Sequence, residues 1–142
     1  KVQGIADEID NKIVIEQIPI GNESILVVED DECVRGVAIE ILKMQGYDVI
    51  SAKNGKEAIE LCEQMERQVD LVVTDVIMPS MGGVEFIENI TKIWPDVKVM
   101  FMSGYAPSSV IHREIINKGI TFIQKPFNPQ HLAIKVREVL DE

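Results

Sequence analysis

Short apolar runs alternate with segments of helical periodicity from Ser24 to the end of the 142-residue chain. Each run has four to six residues, which is a typical length for a strand buried in a sheet. The longer segments between the runs carry apolar residues at spacings of three and four, as amphipathic helices do. The pattern predicts five strands, at residues 25–28, 47–51, 70–75, 97–102 and 120–123.

A helix is predicted after each strand, with recognisable start and stop signals. Gly46 ends the first helix, because glycine readily adopts the backbone conformation that closes one. Asn54 and Glu57 form a capping box at the start of the second helix. The predicted core-facing residues are Val34, Val37, Ala38, Ile41 and Leu42 in the first helix, Ala58, Leu61, Cys62 and Met65 in the second, Val84, Ile87 and Ile90 in the third, Val110, Ile111 and Ile115 in the fourth, and Leu132, Val136, Val139 and Leu140 in the last.

Five β-α units in residues 24–142 predict one α/β domain with a parallel sheet and helices on both faces. The reason is that each crossover returns over the sheet with the same handedness. Residues 1–23 lack this alternation, so we interpret them as a linker or tail with a short strand at 13–15. Because the chain begins with Lys1 instead of Met, we expect it to be a fragment of a longer protein.

The composition narrows the range of partners. A formal net charge of −10 without a basic run argues against direct contact with nucleic acid and favours cations or basic partners. Cys33 and Cys62 are 29 positions apart and form no zinc or disulfide motif. No apolar segment approaches the roughly 18 residues of a membrane span, and no signal peptide opens the chain. We therefore expect a cytoplasmic domain without membrane contact.

Chemically reactive side chains follow four of the predicted strands. Glu29 and Asp30 follow the first, Asp75 ends the third, Ser103 follows the fourth and Lys125 follows the fifth. Because the carboxyl ends of parallel strands meet at one edge of a sheet, we expect these five residues to converge there.

The residue types at this edge point to metal and phosphoryl chemistry. Clustered carboxylates cannot all stay ionised without a counter-charge. Oxygen ligands in small number suit Mg²⁺, so Glu29, Asp30 and Asp75 are predicted metal ligands. A carboxylate beside Mg²⁺ is a competent nucleophile toward a phosphoryl group, with Lys125 as a second cation and Ser103 as a hydroxyl donor.

Simpler roles stay open for some of these residues. An isolated strand-ending aspartate is more often a turn former or helix cap than a reactive group, but the acids after the first strand, Ser103 and Lys125 reverse that preference for Asp75. Asp31 is expected to cap the first helix or lie in its first turn, where the helix dipole favours an acid. His112 and His131 fall on predicted helices away from the reactive edge and are assigned to solvent.

Four motifs in order resemble the receiver domain of two-component response regulators. They are VVEDD at residues 27–31, TDVIMPSMGG at 74–83, MSGY at 102–105 and KPF at 125–127. The resemblance covers residues 24–142. It implies a flavodoxin-like fold with strand order 2-1-3-4-5 and a partner that is a histidine kinase or a histidine phosphotransfer protein. A phosphorylation-dependent dimer is also expected.

The resemblance implies a role for each motif residue. It makes Asp75 the phosphoacceptor and Ser103 and Lys125 its catalytic partners. Glu29, Asp30, Asp75 and the backbone carbonyl of Ile77 would then hold Mg²⁺. Phe122 falls on the aromatic switch position, although it fits equally well as a strand residue packed under the sheet. A cis peptide bond is implied before Pro126.

The leading hypothesis is a signalling switch that takes a phosphoryl group from phosphohistidine onto Asp75. An aspartyl-phosphate phosphohydrolase of the dehalogenase type is the main alternative, but that family needs a second acid where this chain has Ile77. A flavin module would need hydroxyls and glycines after the first strand, where this chain is acidic. A receiver used only as a scaffold is a further alternative. Residues 18–30 and 101–105 also look like receivers fused to hybrid histidine kinases.

Overall fold

A computed structural model describes residues 21–78, 81–104 and 120–142 of the protein. The short strand predicted at 13–15 and the helix predicted between Pro107 and Gly119 lie outside the described residues, as does His112.

The strands form one parallel sheet in the order β2-β1-β3-β4-β5, which confirms the predicted flavodoxin-like topology. Strand β3 lies at the centre of the sheet, and all five of its residues are buried. The strands are β1 (Ser24–Val28), β2 (Asp48–Ala52), β3 (Leu71–Asp75), β4 (Lys98–Ser103) and β5 (Thr121–Gln124).

The described helices cover both faces of the sheet, as predicted. Alternate residues of a strand point to opposite faces, so Ile25 and Val27 pack against α1 and α4 while Leu26 and Val28 pack against α2 and α3. None of these helices is long and apolar enough to cross a bilayer. The helices are α1 (Glu32–Met44), α2 (Gly55–Gln64), α3 (Gly83–Ile93) and α4 (Pro129–Leu140).

Side-chain caps begin α1 and α2 where the sequence predicts them. The Asp31 carboxylate accepts hydrogen bonds from the backbone N–H groups of Cys33 and Val34 at the start of α1. Asn54 caps α2, but the carboxylate of Glu57 accepts from the N–H of Lys53 (3.3 Å) and not from that of Asn54. The reciprocal half of the capping box is therefore displaced by one residue.

Most of the described helix residues predicted to face the core are buried, and the rest are partly buried or exposed. Val37 was predicted to face the core but is 50% exposed, at the edge of an apolar groove that Val34 and Phe127 also line. Phe86, which was not predicted, is fully buried at the core of the α3 face. Cys62 is buried as predicted, and desolvation raises the pKa of its thiol to about 12. The predicted core-facing residues that are only partly buried are Val34, Leu61, Met65, Val84, Ile87 and Leu140.

The last residues of the predicted linker make contacts with the domain. The N–H of Gly21 donates to the carbonyl of Gln45 at the end of α1 (3.0 Å). The carboxylate of Glu23 pairs with Arg137 on α4 at 2.5 Å. The boundary between residues 23 and 24 stays a prediction, but residues 21–23 are tied to both helices.

Candidate functional site

The sheet brings the predicted reactive residues to the carboxyl ends of its strands. Asp75 is the last residue of the central strand β3, and Ser103 is the last residue of the adjacent strand β4. Glu29 follows β1 directly, and Lys125 follows β5. Glu29, Asp75 and Ser103 are all nine-tenths buried or more, so the site is built into the fold.

Lys125 joins two of the acids. Its ammonium nitrogen Nζ lies 2.8 Å from Oε1 of Glu29 and 3.2 Å from Oδ2 of Asp75. Burial disfavours the charged form of Lys125, but the hydrogen bonds and charges of the two carboxylates outweigh it and raise the pKa of this lysine. Lys125 therefore stays protonated across the physiological range, with its charge directed at the two acids.

Asp30 completes an acidic cluster. Carboxylate oxygens of Glu29, Asp30 and Asp75 lie within 4.8 Å of one another. Burial raises the pKa of Asp30, and its hydrogen bond and charge contact with Glu29 add to the effect. One ammonium group against three carboxylates leaves excess negative charge.

A hard divalent cation fits this donor set. All three side chains offer oxygen atoms, which Mg²⁺ prefers, and the surplus negative charge at Asp30 is what such a cation would neutralise. The acidic cluster is consistent with the metal site of a receiver domain.

The acidic loop between β1 and α1 is held by hydrogen bonds at Glu29 and Asp31. The N–H of Asp31 donates to Oε2 of Glu29 (3.3 Å), and the N–H of Glu29 donates to the carbonyl of Ala52 (3.2 Å). The guanidinium of Arg35 on α1 donates to the backbone carbonyl of Glu29 at 2.8 Å. Sequence reasoning missed Arg35; its position one helical turn beyond the Asp31 cap was the available signal.

The loop after β3 is packed tightly behind Asp75. The N–H of Val76 donates to the carbonyl of Met102 (3.2 Å), and the N–H of Gly83 donates to the carbonyl of Val76 (2.6 Å). A side chain at Gly83 would collide with the backbone of Asp75, so glycine allows α3 to begin this close to the strand end. Ile77, two residues beyond Asp75, is 47% exposed at the surface of this loop.

Ser103 and Phe122 lie on adjacent strands beside the acids. The carbonyl of Ser103 accepts from the N–H of Lys125 (2.7 Å), which joins the ends of β4 and β5. Phe122 is half-buried on β5 and packs with Val76 and Phe101. The Lys125–Pro126 peptide bond is cis, as the resemblance implied. His131 is exposed, as predicted.

Known proteins that are similar in sequence to this chain point to one family. A model of the response regulator receiver domain matches residues 25–137. The sensor kinase CckA of Brucella abortus is 37% identical over 122 residues, which cover 86% of this chain and 13% of CckA. The chemotaxis protein CheY of Thermotoga maritima is 32% identical over 116 residues, which cover 81% of this chain and 95% of CheY.

Solved structures agree with the sequence matches. The receiver domain of the hybrid histidine kinase CckA superposes with a TM-score of 0.69 at 34% identity, over 82% of this chain and 98% of that domain. A CheY-like receiver from Methanospirillum hungatei superposes with a TM-score of 0.75 at 32% identity, over 85% of this chain and 95% of that one. On sequence and fold together, the chain belongs to the response regulator receiver domain family.

Proposed function

We propose that this domain is a phosphoacceptor switch in which Asp75 takes a phosphoryl group from a phosphohistidine. The observation that carries the proposal is the buried Asp75 carboxylate, contacted by Lys125 at 3.2 Å and clustered with Glu29 and Asp30. Membership of the receiver family implies a histidine kinase as partner in general. The donor is either that kinase or a histidine phosphotransfer protein.

The proposed transfer uses few groups. An oxygen of Asp75 attacks phosphorus, the bond between phosphorus and the imidazole nitrogen breaks, and the imidazole leaves with the electron pair. The Lys125 ammonium offsets negative charge on the transferring phosphoryl oxygens, and the Ser103 hydroxyl donates to one of them. Mg²⁺, held by Glu29, Asp30, Asp75 and the carbonyl of Ile77, would supply further positive charge when bound.

The rival functions lack support at particular residues. A phosphohydrolase of the dehalogenase type needs an acid two residues after its nucleophile, and this chain has Ile77 there, 47% exposed. A phosphorylation-independent scaffold would need neither a buried acid cluster nor the lysine that contacts it. Retaining both costs stability without a phosphoryl group to bind.

The response to phosphorylation is proposed to run from Ser103 to Phe122. A phosphoryl oxygen on Asp75 is a strong acceptor that draws the Ser103 hydroxyl toward the site. Phe122 then turns inward and alters the surface near residues 103–123, which serves partner binding or a phosphorylation-dependent dimer. Amide shifts with a beryllofluoride mimic locate the change. Shifts confined to the loop after β3 would contradict this route.

The phosphoacceptor assignment is tested by intact mass after incubation with acetyl phosphate and Mg²⁺. We expect the mass of one phosphoryl group on the parent protein and none on Asp75→Asn. Asp96→Asn is the matched control, because it makes the same change in an exposed loop before β4 and should label like the parent. Equal labelling of Asp75→Asn would overturn the assignment. Lys125→Ala should label more slowly.

The similarity to CckA supports a place in a hybrid histidine kinase. The chain spans only 13% of the length of CckA. That this domain belongs to a longer protein with sensor and kinase domains is therefore proposed from the similarity alone. Because histidine kinases draw on ATP, the domain is proposed to act in the cytoplasm.

A further inference from the structure

We propose that Arg35 is a positioning residue that holds the Glu29–Asp30 peptide in the orientation that brings both acids to one site. The inference rests on the proposed function, because it assigns Arg35 a role at the proposed magnesium site. It starts from the hydrogen bond from Nη1 of Arg35 to the backbone carbonyl of Glu29, 2.8 Å long and partly buried.

The need for such a contact follows from strand geometry. Successive residues of an extended strand point to opposite faces of the sheet. Glu29 and Asp30 are successive, yet both contribute oxygens to the same cluster. The backbone must therefore leave the extended conformation at this point, and β1 does end at Val28. The Glu29 carbonyl then lies beyond the β1 ladder, where it accepts from Arg35.

Arg35 is itself anchored to the loop that it holds. Its backbone N–H donates to the carbonyl of Asp31 at 2.9 Å as the first helical hydrogen bond of α1, and the Asp31 carboxylate caps the same helix. The acidic loop is thus closed on α1 from both of its ends.

Removing Arg35 should have two effects that distinguish a residue positioning the Glu29–Asp30 peptide from one that only stabilises α1. With Arg35 removed, the Glu29–Asp30 peptide samples other orientations, so Mg²⁺ binds more weakly. Saturating Mg²⁺ selects the competent orientation again, so the rate of phosphoryl uptake at high Mg²⁺ should be nearly restored. A residue that only stabilised α1 would lower the melting temperature and leave Mg²⁺ affinity unchanged.

The test titrates Mg²⁺ while following the amide shifts of Glu29, Asp30 and Asp31. Arg35→Met should bind Mg²⁺ roughly tenfold more weakly than the parent, as is usual when an outer partner of a ligand is lost. Arg35→Lys keeps one charged donor and should recover most of the affinity. Arg67→Met is the matched control, because Arg67 is exposed in the loop before β3 and should bind like the parent.

Unchanged affinity in Arg35→Met, or an equal loss in Arg67→Met, would overturn the assignment. If Arg35→Met melts below the assay temperature, Arg35→Gln carries the test, because it removes the charge and shortens the side chain that reaches the Glu29 carbonyl. We then expect a severalfold loss of affinity, and unchanged affinity in Arg35→Gln overturns the proposal. The titration requires no phosphoryl transfer. A parent that binds Mg²⁺ but is not labelled on Asp75 would therefore refute the proposed function separately from the role of Arg35.

Discussion

Two ion-pair networks lie at opposite ends of the sheet and differ in kind. At the carboxyl ends of the strands, Lys125 joins Glu29 and Asp75, and Glu29 is fully buried. At the amino ends, Arg137 on α4 joins Glu23 at 2.5 Å and Asp141 at 2.8 Å, with all three side chains partly or largely exposed. The first network is enclosed by the fold, and the second lies on its surface.

The electrostatic consequences run in opposite directions. The hydrogen bond from Arg137 lowers the pKa of Glu23, so the folded protein favours the charged form of this acid more than water does. Burial and the neighbouring Glu29 raise the pKa of Asp30, so the folded protein disfavours the charged form of that acid relative to water. The amino-end network therefore favours the charged form of its acid in the folded protein, whereas the carboxyl-end site places Asp30 beside Glu29, where its charge is disfavoured and open to neutralisation by a ligand.

Removal of Lys125 should have the largest effect. Lys125→Ala leaves the buried carboxylate of Glu29 without its ammonium partner, which should lower the free energy of unfolding by about 2 kcal/mol in metal-free buffer. Urea denaturation at pH 7 measures the change. Lys135→Ala is the control, because Lys135 pairs with Glu138 at 3.7 Å on the surface. That variant should lose less than about 0.5 kcal/mol. Equal losses would show that enclosure of the Lys125 pairs adds nothing to the free energy of unfolding.

Neutralising Asp30 should increase stability. The folded-state pKa of Asp30 is raised above 3.8, so its penalty is absent below that pH and grows as pH rises through the raised pKa. Asp30→Asn removes the penalty; because Asp30 is exposed and water screens its charge, the gain at pH 7 in metal-free buffer should be only roughly 0.5–1 kcal/mol, and nothing near pH 3. Thermal melts across this pH range measure the difference. Added Mg²⁺ should stabilise the parent more than the variant. If Asp30→Asn is less stable than the parent at pH 7, the charge of Asp30 is not disfavoured in the fold.

The smallest effect is expected at Glu23. Glu23→Gln breaks the charged pair with Arg137 and should cost about 0.5 kcal/mol at pH 7, because the pair is partly exposed. The folded pKa of Glu23 is lowered from 4.5, so its contribution is present above that pH and is lost as pH falls through the lowered value. Parent and variant melts should therefore converge near pH 3. A difference that persists there would assign the effect to packing instead of charge.

Most of the fold and the outline of the site could be predicted from local features. The alternation of apolar runs and helical periods predicted all five strands and the parallel sheet, because burial on two faces leaves a readable pattern. The caps at Asp31 and Asn54 were predictable because a cap acts within three residues. Convergence of Glu29, Asp30, Asp75 and Lys125 followed from the rule that parallel strands end at one edge.

The sequence by itself determined which elements form, in which order, and which reactive residues end the strands. The tertiary structure decided how distant elements meet. Lys125 reaches Glu29 across 96 positions, and Arg137 reaches Glu23 across 114. The bond from Arg35 to the Glu29 carbonyl and the exposure of Val37 depend on how α1 lies on the sheet. Periodicity reports which side of a helix is apolar; the neighbour that covers it, or leaves it open, depends on packing between separate elements.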